Sequence, residues 1–238
     1  MNKAETAIVV GVGPGLGLSV VRTCTDAGMN VVAVARNVER VGKLVGGLGA
    51  KVKTVACDAT QEMQVVELFR QSAALFGLPA LVVFNAGAFL PRGILETTVE
   101  DFERCWRVGC LGGFLVGREA ARAMLDAPGE HARTILFTGA TASLRGSARF
   151  HNLAVGKFGL RALAQSMARE FGPHGIHVAH VIIDGQIRAD RDGYREDARG
   201  TDAVLHPDAI AASYLMLHRQ PRNAWTQELD LRPWVEKF

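Results

Sequence analysis

The stretch that most restricts this chain is Gly11-Val-Gly-Pro-Gly15-Leu-Gly17, set directly after the apolar run Ala7–Val12. The run reads as a strand. Leu16, Val20, Val21, Cys24 and Ala27 then share one face of a helix that begins at once. A strand that turns sharply into a helix needs residues without side chains at the turn. Gly11 permits the exit from the strand, Gly15 lets backbone N–H groups approach a pyrophosphate, and Gly17 lets the helix pack closely on the sheet. Leu16 opens the helix, whose N-terminus carries partial positive charge suited to phosphates. A tight turn with no ligand is the alternative. The setting between strand and helix favours a phosphate cradle.

Short β-branched runs continue along the chain at Asn30–Ala35, Val52–Ala56, Ala80–Phe84, Thr134–Phe137 and His177–Ile183. Each is apolar almost throughout, as a strand buried on both faces must be. Helical patterns lie between them. Met63, Val66, Phe69 and Leu75 recur at helical spacing, and Thr97 with Glu100 reads as a capping box opening a long helix toward Ala127. Alternation of this kind predicts a doubly wound α/β domain, with a mostly parallel central sheet and right-handed crossovers. No repeat, low-complexity tract or linker composition divides residues 1–238, so one domain is expected.

Composition narrows the function classes. At 48% hydrophobic and 21% charged, the chain is neither disordered nor collagen-like. Its 27 basic and 24 acidic side chains leave a net charge of +3 with no Lys/Arg block, a solvated surface rather than a nucleic-acid footprint. Nothing approaches the run of about 18 apolar residues that a membrane span requires. Cys24, Cys57, Cys105 and Cys110 form no C-x-x-C pair and have no metal-like His spacing, so no metal is expected. The lack of a secretory pattern points to a reducing cytoplasm.

The glycine spacing G-x-x-x-G-x-G resembles that of the short-chain dehydrogenase/reductase family, and further resemblances follow in order. Asp58 in ACDAT matches the acid that family members set against the adenine. Asn85-Ala86-Gly87 matches the family's NAG motif, Lys157 opens a stretch similar to its fifth helix and sixth strand, and WTQELDL takes the place of its last strand. The resemblance covers essentially the whole chain. It implies a nicotinamide dinucleotide cofactor, with Lys157 on the nicotinamide ribose and Ile187 offering its backbone to the carboxamide. The end of the second strand reads Ala35-Arg36-Asn37, without the acid that selects NAD. Arg36 can pair with a 2′-phosphate, which favours NADP(H), whereas an ordinary solvated arginine is the alternative.

The chain departs from the family pattern in the catalytic set. Leu153 stands where the family has its Tyr, Ala140 where it has its Ser, and Cys110 where it has its Asn; only Lys157 matches. A hydrocarbon does no acid–base work. Thr141 is the best-placed hydroxyl, yet a threonine has no useful acidity without a neighbouring base. His151, two helical positions from Leu153, is expected to face elsewhere. Tyr194 and Tyr214 are the chain's two tyrosines. Asp184, in the family's Pro-Gly position, reads as an acid or simply as a turn former.

Two functions follow. One is an oxidoreductase acting on an unknown carbonyl or alcohol through a non-standard proton donor. The other is a catalytically silent NADP(H)-binding sensor or interaction protein. Residues 188–206, charged and without apolar periodicity, read as a surface loop or a substrate lid. The resemblance also implies a homodimer or homotetramer paired through the helices near Val99–Ala127 and Leu153–Phe171, with Gly109, Gly112, Gly113 and Gly117 allowing close approach.

Overall fold

A computed structural model describes residues 4–127, 132–188 and 200–236. Seven strands form one parallel sheet in the order β3-β2-β1-β4-β5-β6-β7: β1 (Thr6–Val10), β2 (Asn30–Ala35), β3 (Val52–Ala56), β4 (Leu81–Phe84), β5 (Thr134–Thr138), β6 (His177–Ile183) and β7 (Glu228–Leu231). The helices are α1 (Leu16–Asp26), α2 (Val38–Val45), α3 (Glu62–Phe76), α4 (Val99–Trp106), α5 (Gly112–Leu125), α6 (His151–Phe171) and α7 (Pro207–His218). The expected doubly wound α/β domain is the observed one.

Strand alternation builds two cores. Ala7 and Val9 of β1 join α1, α2 and α7 on one face, with Leu16, Val20, Val41, Ile210 and Leu217. Ile8 and Val10 join α3, α5 and α6 on the other, with Val65, Leu68, Val116, Leu160 and Met167. Strand order reverses between β1 and β4, and a parallel sheet opens its ligand crevice outside the C-terminal strand ends at such a switch point.

Three local expectations are corrected. In α3 the buried stripe is Val65, Leu68, Phe69 and Ser72, while Met63, Val66 and Leu75 lie outward. The next cap is Thr98, whose side chain accepts from the Asp101 amide; Thr97 instead donates to the Gly93 carbonyl. The long helix it opens is broken by a π-helical turn at Arg107–Leu111. The glycines of that region lie against the chain's own residues. A Cβ on Gly112 would lie 3.3 Å from the Ala59 carbonyl oxygen, and one on Gly117 would lie 2.9 Å from the Phe137 ring. Gly109 likewise sits against the backbone of Gly156, and Gly113 against Leu160.

Candidate functional site

The glycine turn sits at the switch point. The Gly11 and Val12 amides both donate to the Val34 carbonyl, tying the turn to the end of β2. Gly11 has φ +92°, and a Cβ there would meet the Ala86 amide at 2.6 Å. A Cβ on Gly17 would meet the Gly11 carbonyl oxygen at 2.8 Å. These two glycines are required by the protein's own backbone. Gly13 and Gly15 are different: nothing lies within 4 Å of a Cβ at either position. Their bareness leaves open space beside the start of α1, where no side chain caps the helix at Gly15. An uncapped N-terminus keeps orphan N–H groups for an anion. These residues fit the pyrophosphate of a dinucleotide.

The remaining predicted cofactor residues line the same strand ends. Asn85 donates from Nδ2 to the Gly11 carbonyl at 3.1 Å, so it braces the turn, with Ala86 packed against Gly11 and Gly87 beside Lys157. Asp58 follows β3 and accepts from both the amide and the hydroxyl of Thr60. Arg36 is exposed just past β2, next to Asn37, which caps α2. Ile187 bridges Leu205 in parallel, using the Gln186 carbonyl and the Arg188 amide, so its own peptide groups turn away from Leu205. That bridge also pinches together the two ends of the predicted lid. Tyr194 and lid residues 189–199 lie outside the described residues.

Lys157 is 6% exposed and donates to the Thr138 carbonyl at 2.6 Å, linking α6 to the end of β5. Burial lowers its pKa to about 8. Leu153 lies half-buried one turn earlier on the same helix face. Ala140 and Thr141 belong to the short turn after β5. Cys110 lies in the π-helical turn with Sγ against Gly159 of α6. His151 turns to Thr97, Nε2 to Oγ1 at 3.0 Å, as its helical position predicts. Tyr214 is present but 1% exposed; its hydroxyl pairs with Thr138 Oγ1 at 2.8 Å, and burial raises its pKa.

Two side-chain clusters join residues far apart in sequence. Thr141 donates its hydroxyl to Asp184 Oδ1, and Arg232 faces the other carboxylate oxygen of Asp184 at 3.4 Å. Behind the turn, Ser143 Oγ lies 3.3 Å from His180 Nε2, and His180 Nδ1 lies 3.1 Å from Glu228. Glu228 accepts from Nε and Nη2 of Arg161, each at 2.7 Å. The Ala140 amide donates to Ser143 Oγ, so this chain anchors the turn. Arg161 keeps the Glu228 carboxyl below the usual range, while burial lowers His180 to about 4. Sequence reading missed the second cluster. Its signal was a histidine inside the apolar run HVAHVII, where a buried polar group needs partners.

The chain is similar to known proteins along its length. The profile of the short chain dehydrogenase family matches residues 5–197. A short-chain dehydrogenase/reductase of Armillaria gallica is 29% identical over 206 residues, covering 84% of this chain and 78% of the relative. The momilactone A synthase of Oryza sativa is 32% identical over 177 residues, 73% of this chain but 64% of the relative. Among solved structures, a short-chain dehydrogenase from Rhodopseudomonas palustris is 36% identical with a TM-score of 0.81, covering 98% of this chain and 100% of that one. A metagenomic short-chain oxidoreductase in complex with NADP shares the fold, with a TM-score of 0.83 and 24% identity over 98% of this chain and 99% of that one. The chain belongs to the short-chain dehydrogenase/reductase family of oxidoreductases.

Proposed function

We propose that the protein is an NADP(H)-preferring oxidoreductase that interconverts a small-molecule alcohol and carbonyl without the family's usual Tyr and Ser. The observation that carries the reading is an open phosphate cradle at Gly13 and Gly15 together with a buried lysine, Lys157, whose ammonium lies beside Gly87 just past β4. The cradle residues Gly11, Gly15, Leu16 and Gly17 would hold the pyrophosphate, Arg36 a 2′-phosphate, Asp58 the adenine and Lys157 the nicotinamide ribose. When bound, the nicotinamide supplies hydride transfer, chemistry that asks the protein mainly for positioning. Leu153 and Ala140 present hydrocarbon where the family places a proton donor and a polarising hydroxyl, so the proton must be handled by another group.

Calorimetric titration with NADPH and NADH tests the cofactor half of the reading, and turnover of a panel of alcohols and ketones tests the other. Binding without any turnover would favour the second reading, a silent NADP(H)-binding sensor or interaction protein. The observation behind that alternative is the hydrocarbon at Leu153 and Ala140. The homo-oligomer is also proposed, on the exposed apolar side chains of α4 and α6. Among the described residues no helix is long and apolar enough to cross a membrane. The four free thiols, three of them buried, support a reducing, cytoplasmic setting.

A further inference from the structure

A threonine hydroxyl becomes a useful proton acceptor only when a base takes its own proton, and the structure sets such a base beside Thr141. Asp184 stands at the C-terminal end of β6 and is 5% exposed. Its Oδ1 accepts the Thr141 hydroxyl proton. Its backbone amide is fixed to the Leu231 carbonyl at 2.8 Å. Arg232, just past β7, faces Oδ2, and Arg232 is itself paired with Asp230 of β7. With its proton committed to Asp184, Thr141 Oγ1 is left with lone pairs, so toward the crevice it can only accept. An acceptor of this kind fits the O–H of an alcohol, not the bare oxygen of a ketone.

We infer that Thr141 is the proton-accepting catalytic residue of this protein and that Asp184 receives the proton through it, which suits the site to alcohol oxidation. The substrate O–H bond breaks and its proton passes to Thr141 Oγ1 as the Thr141 hydroxyl proton passes to Asp184 Oδ1. The co-reactant would be an oxidised nicotinamide dinucleotide, which would take up the hydride lost by the carbinol carbon as that carbon becomes a carbonyl. Asp184 then releases the proton to water. In reverse, a protonated Asp184 returns it through Thr141 to the alkoxide. Asp184 acts through Thr141 and is a positioning residue. Among the described residues, Arg232 faces it, and Asp230 pairs with Arg232 from behind.

This inference rests on the oxidoreductase reading, and the test separates the two. Oxidation of 2-butanol, cyclohexanol and 1-phenylethanol with NADP+ is measured for the unmutated protein and for Thr141→Val, Thr141→Ser and Asp184→Asn, with NADP+ affinity measured alongside. Thr141→Val is expected to lose about 10²–10⁴-fold in kcat, the usual share of general base catalysis, with the NADP+ Kd within about twofold, and Thr141→Ser to restore most of the rate. Asp184→Asn should lose a similar factor in kcat with KM nearly unchanged. The double variant Thr141→Val/Asp184→Asn should be no slower than either single one, because a relay fails as a unit. Proton NMR without cofactor gives a readout apart from activity: a slowly exchanging Thr141 hydroxyl resonance, absent in Thr141→Val and displaced in Asp184→Asn. A Thr141→Val rate within threefold of the unmutated one overturns the relay and leaves the oxidoreductase reading intact. NADP+ binding with no turnover of any alcohol by the unmutated protein overturns both.

Discussion

The imidazole of His180 occupies the space in which a side chain on Gly139 would begin, since a Cβ there would lie 2.5 Å from His180 Cε1. The ring is held in place from both sides, by Ser143 at Nε2 and Glu228 at Nδ1. The turn carrying Ala140 and Thr141 is therefore seated on a buried polar chain that crosses from β6 to β7 and α6. Gly139→Ala should force the ring out of its hydrogen bonds. Overpacking of this kind costs roughly 1–3 kcal/mol. Denaturant unfolding checks it, and adding His180→Asn to Gly139→Ala should recover part of the loss. An unchanged midpoint in Gly139→Ala would show that the ring moves freely.

The same ring predicts an acid-sensitive fold. In an unfolded chain His180 charges near 6.5, whereas burial lowers it to about 4 in the fold. Between those values the unfolded state binds more protons, so stability present at pH 7 is lost as the pH falls from 6.5 toward 4. The full loss is about 3 kcal/mol. His180→Gln should start less stable at pH 7 and lose less over this range. Burial lowers His177 as well, and its contribution cancels in the difference between the two proteins. Parallel stability curves for the two from pH 6.5 to 4.5 would remove His180 from this account.

Arg36 is exposed at the end of β2, and no acid stands beside it in Ala35-Arg36-Asn37. A hydrogen bond to a charged group contributes roughly 1.5–3 kcal/mol, which is about 10- to 150-fold in affinity. Arg36→Ala should weaken NADPH binding by that order and NADH binding little. Equal NADPH and NADH affinities in the unmutated protein would sink the preference.

Oligomerisation has a better basis in exposed side chains than in the glycines. Val99, Phe102 and Trp106 form one outward stripe on α4, and Val155 and Phe158 form another on α6, against which α4 packs. Large exposed apolar side chains gathered on two packed helices fit an interaction surface. Light scattering at micromolar concentration should give a multiple of the chain mass, and Phe158→Asp should give the monomer. A monomeric unmutated protein would refute it.

Much of the fold is legible in the sequence, because a strand buried on both faces leaves an unbroken β-branched run. Asn30–Ala35, Val52–Ala56 and His177–Ile183 match the observed strands residue for residue. Which face of a helix meets the sheet was harder. α3 carries apolar residues on two sides, and periodicity alone does not distinguish Val65, Leu68 and Phe69 from Met63, Val66 and Leu75. At the site, the glycine turn was legible because its residues are adjacent. Asp184 and Thr141 lie 43 positions apart, and Glu228 and His180 lie 48 apart. Only the parallel packing of β5, β6 and β7 brings such residues together, and no local pattern records it.

Leu153 and Ala140 test the proposal that this protein works without the family's usual Tyr and Ser. Leu153 lies one helical turn before Lys157, and Ala140 lies in the turn that His180 and Ser143 anchor. General acid–base catalysis typically contributes 10²–10⁴-fold, so a protein with hydrocarbon at both positions should bind NADPH yet reduce simple ketones slowly. The double variant Leu153→Tyr/Ala140→Ser should raise ketone reduction toward that factor, with Lys157 supporting the new phenol. The aromatic pair Phe89–Phe150, with ring centroids 4.9 Å apart, flanks the N-terminal end of α6, so acetophenone is the ketone to try first. Assayed with NADPH, a gain of tenfold or more would mean that the crevice still accepts a substrate in the family's orientation. No gain, with NADPH affinity intact, would mean that the substrate oxygen is held elsewhere, next to Thr141 and Asp184 instead of Leu153.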